Sequence, residues 1–233
     1  MRGEIPSTMT SCKGRKTLAV IITSGNISAG KSTVSRLVAK HLGVRLFEES
    51  VANNPFLDLY YHDPKRWAFT LQTYFLNTRW DSIEQALAND NYILDRSIYE
   101  DKDIFAQLQY EQGNMTFEEY HTYLHFYDRA MRNLHQIEGK RRPDLLIHLE
   151  GSLDTILYRW RKRSRSYEMQ DGMVDYLTEL NKRYESWIEK FDECPVLRIN
   201  IDEIDVTKEE DARKVTQMVD TKLGEMEREF KNN

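Results

Sequence analysis

The sequence predicts an α/β fold, a doubly wound parallel sheet of about five strands flanked by helices. Short apolar segments alternate along the chain with longer stretches in which apolar residues recur at helical spacing. Strands separated by helices pair in parallel through right-handed crossovers. With 233 residues, of which 40% are hydrophobic, the chain is long enough to bury a large core. One domain over residues 17–233 accounts for the pattern.

Five short apolar runs are the predicted strands of this sheet. In chain order they cover residues 18–23, 44–48, 92–94, 145–149 and 196–201.

The helical pattern between these strands is clearest in three places. It covers residues 31–42, where Gly43 ends it, then residues 66–89, and finally residues 117–137. Helices at these positions supply the crossovers that parallel strands need.

Residues 1–16 precede the predicted domain and form a predicted flexible leader. They carry four cations and one acid with several Ser and Thr, and they lack the apolar core of a secretory signal. A mitochondrial transit peptide is the alternative for this segment.

Composition excludes several classes of function. A formal net charge of −5 argues against a general binder of nucleic acid polymers, which needs a large cationic surface. The apolar runs are too short to span a membrane, so we expect no membrane partner. Two cysteines cannot build a disulfide framework, which favours a reducing compartment and a cytoplasmic location.

A glycine-rich motif between the first predicted strand and the first predicted helix predicts binding of a nucleoside triphosphate. Residues 25–32 match the pattern GxxxxGK[ST], in which backbone N–H groups and the helix N-terminus surround phosphates. Lys31 would reach the outer phosphates and Ser32 would bind Mg²⁺. The candidate ATP-binding residues here are Gly25, Asn26, Ile27, Ser28, Ala29, Gly30, Lys31, Ser32 and Thr33.

Charged side chains follow two other predicted strands. Asp95 comes directly after the third strand, at the sheet edge where ligands bind, and can hold Mg²⁺ together with Ser32. Arg96 follows it and can neutralise phosphoryl charge. The alternative is an N-capping Asp with a surface Arg. Glu48 and Glu49 end the second strand, and only one of them can face the crevice because successive side chains alternate.

Five segments in order resemble the deoxynucleoside kinase family, which includes the deoxycytidine, deoxyguanosine and deoxyadenosine kinases. They are residues 25–32, 49–51, 66–74, 95–101 and 163–165. Together they extend the resemblance over roughly residues 18 to 205.

The resemblance implies roles in phosphoryl transfer. Glu49 is then the general base for the nucleoside 5′-hydroxyl, with Arg96 beside it and Lys31 on the ATP phosphates. Ser50 stands where the family usually has Pro, which leaves Glu48 as a second candidate base. Five cations within residues 159–165, at the end of a helical stretch, predict an Arg-rich lid in which Arg163 and Arg165 close over ATP. A solvated basic helix end is the alternative.

The resemblance also implies a nucleoside pocket. Gln72 would read the base, and Arg79 with Asp101 would form a charged pair behind it, an arrangement that favours purines or cytosine. Gln72 and Arg79 are seven positions apart and so share one helix face. The remaining implied contacts are Tyr61 and Glu168 to the 3′-hydroxyl, Phe105 against the base, and Trp67 in the pocket wall. The alternative for the aromatic residues is plain core packing.

The implied activity is 5′-phosphorylation of a deoxynucleoside with ATP and Mg²⁺, in nucleotide salvage. Deoxyadenosine is the leading acceptor because residues 95–101 look most like that branch, and deoxyguanosine and deoxycytidine stay open. A nucleoside monophosphate kinase of the thymidylate kinase type and a non-catalytic ATP-binding module are the rival hypotheses. The resemblance also implies a homodimer.

Overall fold

A five-stranded sheet with only parallel pairings forms the centre of the molecule, which confirms the predicted fold class. The computed structural model describes residues 20–49, 51, 54–87, 91–136, 143–165 and 172–232. The strands are β1 (Val20–Gly25), β2 (Arg45–Phe47), β3 (Tyr92–Asp95), β4 (Leu145–Glu150) and β5 (Val196–Asn200). The predicted leader, residues 1–16, lies outside the described residues.

Helices cover both faces of the sheet. They are α1 (Lys31–Leu42), α2 (Leu57–His62), α3 (Pro64–Leu87), α4 (Ile98–Glu100), α5 (Gln107–Glu111), α6 (Phe117–Gln136), α7 (Leu153–Arg163), α8 (Met173–Ile188) and α9 (Glu209–Asn232). A π-helical segment, Asp101–Ala106, joins α4 to α5. The three predicted helices are present, and their ends agree within two residues. None of the helices in the described ranges combines the length and apolar character needed to cross a bilayer.

The strand order β2-β3-β1-β4-β5 creates a crevice at one edge of the sheet. From β1 the chain first builds the sheet on one side, through β2 and β3, and then continues on the other side with β4 and β5. Loops that leave neighbouring strands in opposite directions open a crevice at their carboxyl ends, where ligands bind in such folds. The glycine-rich loop after β1 and Asp95 at the end of β3 both lie at this edge.

Two apolar layers sandwich the sheet. Alternate side chains of a strand point to opposite faces: Ile21 and Ile93 belong to the layer under α1, α7 and α9, and Ile22 and Leu94 belong to the layer under α3, α6 and α8. Both faces are buried, which explains why the central strands are continuous apolar runs rather than alternating ones.

The centre of the sheet also contains a buried polar pair. His148 of β4 is 1% exposed, and its Nδ1 lies 2.5 Å from the Oγ of Ser24, the residue before the glycine-rich loop. Burial, followed by repulsion from Arg198 and Lys31, lowers the pKa of His148 to about 3. The native protein therefore holds this imidazole neutral.

We predict that His148 makes the protein less stable as the pH falls. The unfolded chain protonates His148 near pH 6.5, and the native chain does so only near pH 3. The contribution of His148 to the free energy of unfolding is therefore complete above pH 6.5 and declines as the pH falls below it. The slope is at most about 1.4 kcal/mol per pH unit. Urea unfolding measures the free energy of unfolding at pH 7.5 and at pH 5.5. Between these two pH values, the wild type should lose more of this free energy than His148→Gln does. Equal losses would contradict the prediction.

Candidate active site

The loop after β1 has the backbone shape of a phosphate-binding loop. Gly25 and Gly30 adopt φ angles of +139° and +102°, which favour glycine. A Cβ on Gly25 would lie 2.6 Å from the Leu149 carbonyl oxygen, so no other residue fits there without a shift of the backbone. The loop leads directly into the N-terminus of α1, whose free N–H groups attract anions.

Lys31 is buried inside this loop. Its Nζ donates to the carbonyl oxygens of Gly25 and Asn26, each at 2.9 Å. Burial, followed by repulsion from Arg96, lowers the pKa of Lys31 to about 8. The side chain is therefore still mainly a cation at neutral pH and available for phosphate oxygens.

The loop is also attached to α8 through Asn26. The Asn26 Nδ2 donates to the Leu177 carbonyl oxygen at 3.1 Å and to Asn181 Oδ1 at 3.3 Å. This amide holds the loop in place instead of lining the cleft. Of the nine predicted ATP-binding positions in the motif, the cleft is lined by Ile27, Ser28, Gly30, Lys31, Ser32 and Thr33.

Ser32 and Asp95 meet at the end of the sheet. The Ser32 Oγ donates to Asp95 Oδ2 at 2.5 Å, and Thr23 of β1, the register partner of Asp95, donates to Oδ1 at 3.3 Å. A hydroxyl and a carboxylate suit Mg²⁺, which keeps several waters and binds few protein oxygens. Within the described residues no three His, Cys, Asp or Glu side chains cluster as a larger metal site. The donor set therefore fits Mg²⁺ held jointly with phosphates.

Glu49 differs sharply from its neighbour Glu48. Glu49 Oε1 accepts from Arg96 Nε at 2.8 Å and from Arg79 Nη2 at 3.1 Å, and its side chain is 14% exposed. Burial by itself raises the pKa of Glu49, but Arg96 and Arg79 outweigh it and lower that pKa to about 2. Glu48 is half exposed and pairs with Arg36 at 2.7 Å, yet it lines the cleft as well. The expectation that only one of the two glutamates faces the crevice is therefore wrong, because β2 ends at Phe47 and strand alternation does not extend to residues 48 and 49.

Arg79 of α3 lies behind the cleft and connects three groups. Its Nε and Nη2 donate to the two carboxylate oxygens of Asp101 at 2.9 and 3.2 Å, and its Nη1 donates to the Asp95 carbonyl oxygen at 3.1 Å. Burial alone would lower the pKa of Arg79, but the carboxylates of Asp101 and Glu49 raise it. Asp101 itself lines the cleft.

An aromatic cleft of about 440 Å³ continues from these charges. The predicted residues Gln72, Tyr61 and Phe105 line it, and Gln72 is only 3% exposed. The Arg96 guanidinium lies 4.7 Å from the centre of the Phe105 ring. The lining residues that sequence reasoning did not assign are Arg36, Val51, Leu57, Tyr60, Leu71, Phe75, Arg159 and Tyr176.

Two predicted pocket residues have different outcomes. Trp67 is not among the described residues that line the cleft; its ring stacks on Phe56 with the centroids 5.9 Å apart, so the structure does not bring it into the pocket wall as predicted. Helix α3 turns this side chain toward Phe56. Glu168 lies outside the described residues, so its contact with the 3′-hydroxyl stays a prediction.

Three arginines in and directly after α7 line the cleft. The predicted lid residues Arg163 and Arg165 both line it. Sequence reasoning did not assign Arg159 to the site, yet its Nη1 donates to the Ala29 carbonyl oxygen at 2.8 Å and its Nη2 donates to that of Ile201 at 3.0 Å. Arg159 stands one helical turn before Arg163, and this spacing could have revealed it.

Comparisons with known proteins agree on one family. The family model for deoxynucleoside kinase matches residues 21–223. The chain is 44% identical to a deoxyguanosine kinase of Lactobacillus johnsonii, covering 90% of this chain and 94% of the relative. It is 39% identical to a deoxyadenosine kinase of Lactobacillus acidophilus, covering 90% and 98%. A structure of deoxyadenosine kinase from M. mycoides with bound dCTP matches with a TM-score of 0.73 and 32% identity, covering 88% and 99%.

We predict that Asp101→Ala destabilises the protein by about 3–5 kcal/mol, because it leaves the buried Arg79 guanidinium without its principal carboxylate. The free energy of unfolding in urea measures this loss. The double variant Arg79→Met, Asp101→Ala removes both charges and should recover a large part of it. A single variant within 1 kcal/mol of the wild type, or a double variant less stable than the single, would contradict this role for the pair.

Proposed function

The chain belongs to the deoxynucleoside kinase family, and from this premise we propose that it transfers the γ-phosphoryl group of ATP to the 5′-hydroxyl of a purine deoxynucleoside. The product is the deoxynucleoside 5′-monophosphate. The observation that carries the proposal is the position of Glu49. Its carboxylate lines the same cleft as the glycine-rich loop on one side and Gln72 with Asp101 on the other.

Glu49 is the proposed general base. With a pKa of about 2 it is ionised at neutral pH and is a weak base. Phosphoryl transfer passes through a loose transition state, in which alignment and charge neutralisation matter more than base strength. Arg96, which contacts Glu49 through Nε, is the proposed cation for the transferring phosphoryl oxygens. The exposed Glu48–Arg36 pair supports Glu49 over Glu48.

ATP is the proposed phosphoryl donor. The backbone of residues 25–32 and Lys31 would bind its phosphates, and Arg163 and Arg165 would close over them and exclude water. Ser32 and Asp95 would hold Mg²⁺, which neutralises phosphate charge when it is bound. Each of these residues except Gly25, Asn26 and Ala29 lines the cleft.

The acceptor site favours a purine in our proposal, and deoxycytidine stays open as the third candidate because one relative at 37% identity is named a deoxyadenosine/deoxycytidine kinase. The Gln72 amide offers one donor and one acceptor, and it can pair with an edge of adenine or, after a flip, of guanine. Deoxyadenosine is favoured by the form of residues 95–101 and by the similarity to deoxyadenosine kinases. Deoxyguanosine is favoured by two relatives of that name at 44% identity.

Family membership disfavours the two rival hypotheses, a nucleoside monophosphate kinase and a non-catalytic ATP-binding module. A homodimer stays a prediction from the resemblance, and a cytoplasmic location stays a prediction from the cysteine content.

A rate panel of the four deoxynucleosides with ATP and Mg²⁺ tests the proposal. We expect kcat/KM to be highest for deoxyadenosine or deoxyguanosine and at least about tenfold lower for thymidine, because discrimination at a buried hydrogen-bonding site is large. The deoxynucleoside monophosphates should not be phosphorylated in the matched control reactions. A preference for thymidine would contradict the proposed pocket.

We predict that Glu49→Gln lowers kcat by about 100-fold or more, since the variant loses the proton acceptor. The dissociation constant of ATP, measured by calorimetry, should stay within about twofold because Glu49 lies on the acceptor side. Glu48→Gln is the matched control and should keep kcat near the wild-type value. An unchanged kcat in Glu49→Gln would remove Glu49 as the base.

A further inference from the structure

A buried hydroxyl connects α8 to the turn that follows β3. Arg96 Nη1 donates to the Tyr184 Oη at 2.7 Å, and the Tyr184 hydroxyl donates to Glu100 Oε1 at 2.7 Å. A phenol has one proton to donate and lone pairs to accept with, so both functions are used. Burial raises the pKa of Tyr184, which keeps this proton on the hydroxyl.

Glu100 completes this connection with a fully buried carboxylate. Its Oε2 accepts from the backbone N–H and from the Oγ of Ser97, and so holds the turn before α4. Its Oε1 accepts from Tyr184 and also lies 3.4 Å from Arg96 Nη1 and from the Gly25 backbone nitrogen. One carboxylate thus joins the turn, Arg96 and the first residue of the phosphate-binding loop.

Arg96 needs such support because its backbone is strained. Its φ angle of +82° lies in the left-handed region, where a residue with a long side chain costs about 1–3 kcal/mol. Its guanidinium is held at both ends, through Nε by Glu49 and through Nη1 by Tyr184. A planar group that is fixed at two edges cannot rotate away from the cleft.

We propose that Tyr184 and Glu100 are positioning residues for phosphoryl transfer, which act by holding the Arg96 guanidinium in its working orientation. Among the described residues that line the cleft, neither of the two is present, so they act through Arg96 and not on the reacting atoms. This inference rests on the proposed function, in which Arg96 neutralises the transferring phosphoryl group.

The hydroxyl can be separated from the packing of the ring. The Tyr184 ring packs against Phe105, His148 and Trp187, with centroids 6.0 to 6.4 Å apart. Tyr184→Phe keeps these contacts and removes only the hydrogen bonds to Arg96 and Glu100. A purely structural role therefore predicts a changed melting temperature, whereas a positioning role predicts a changed kcat.

The first test is steady-state kinetics of Tyr184→Phe with the best deoxynucleoside of the panel. We expect kcat to fall about 10- to 100-fold, the range for losing a hydrogen bond to a charged group, and both KM values to stay within about threefold. Tyr123→Phe is the matched control, because Tyr123 is fully buried and its hydroxyl has no hydrogen-bond partner among the described residues. Wild-type kcat in Tyr184→Phe would overturn the proposal.

The second test combines Tyr184→Phe with Arg96→Lys, which keeps a cation and a measurable rate. If Tyr184 acts through Arg96, adding Tyr184→Phe to Arg96→Lys should lower kcat by less than about twofold. If the factors by which Tyr184→Phe and Arg96→Lys each lower kcat simply multiply in the double variant, the positioning role is overturned. Such a result would leave the proposed function intact, which is tested separately by the rate panel and fails if the wild type phosphorylates none of the four deoxynucleosides or prefers thymidine.

Glu100→Gln tests the same contact from the other side if Tyr184→Phe does not fold. The amide keeps the shape of the side chain and removes its charge. We expect a fall in kcat that is again non-additive with Arg96→Lys. A Glu100→Gln enzyme with wild-type kcat would overturn the proposal.

Discussion

The active-site region depends on the compensation of two buried cations, the guanidinium groups of Arg79 and Arg96. A buried charge is tolerated only when it is paired and hydrogen-bonded. Each guanidinium therefore requires carboxylates at set distances, and Glu49, Asp101 and Glu100 occupy those positions. The part of the cleft around Glu49 and Asp101 owes its geometry to this requirement. The pairing also explains why the pKa of Glu49 is low: the two cations stabilise the carboxylate more than burial destabilises it.

The sheet edge brings this network next to the phosphate-binding loop. Thr23 and Asp95 are register partners on adjacent strands, so the end of β3 necessarily lies beside the loop that follows β1. Helix α8 then contacts both the loop and the end of β3. Asn26 of the loop donates to a backbone carbonyl of α8, and Arg96 donates to the hydroxyl of Tyr184 on the same helix. One helix thus contacts both the phosphate-binding loop and Arg96, and the proposed phosphoryl transfer depends on the alignment of these two parts of the cleft.

Relatives at similar identity have names that point to different acceptor bases, which places the choice of base in the details of the pocket and not in the fold. The charges carried by motifs and the aromatic residues Tyr61 and Phe105 were accessible to sequence reasoning, whereas Arg159, Tyr60, Phe75 and Tyr176 were not. Trp67 illustrates the reason. It stands five positions before Gln72, and at about 100° per residue the two side chains point in directions about 140° apart. Helical spacing gives relative directions, but only packing decides which direction meets the cleft.

The sequence by itself determined the parallel α/β fold, the phosphate-binding loop and the place of Asp95 and Arg96 at a strand end, because these follow from local periodicity and from short motifs. Tertiary structure decided that Glu49, and not Glu48, is buried against Arg79 and Arg96. Because both glutamates follow the same strand, their positions in the sequence do not distinguish them. It also decided the connection of Tyr184 to Glu100, two residues 84 positions apart in the chain. Contacts of that range depend on how α8 packs against the sheet, and no local pattern encodes them.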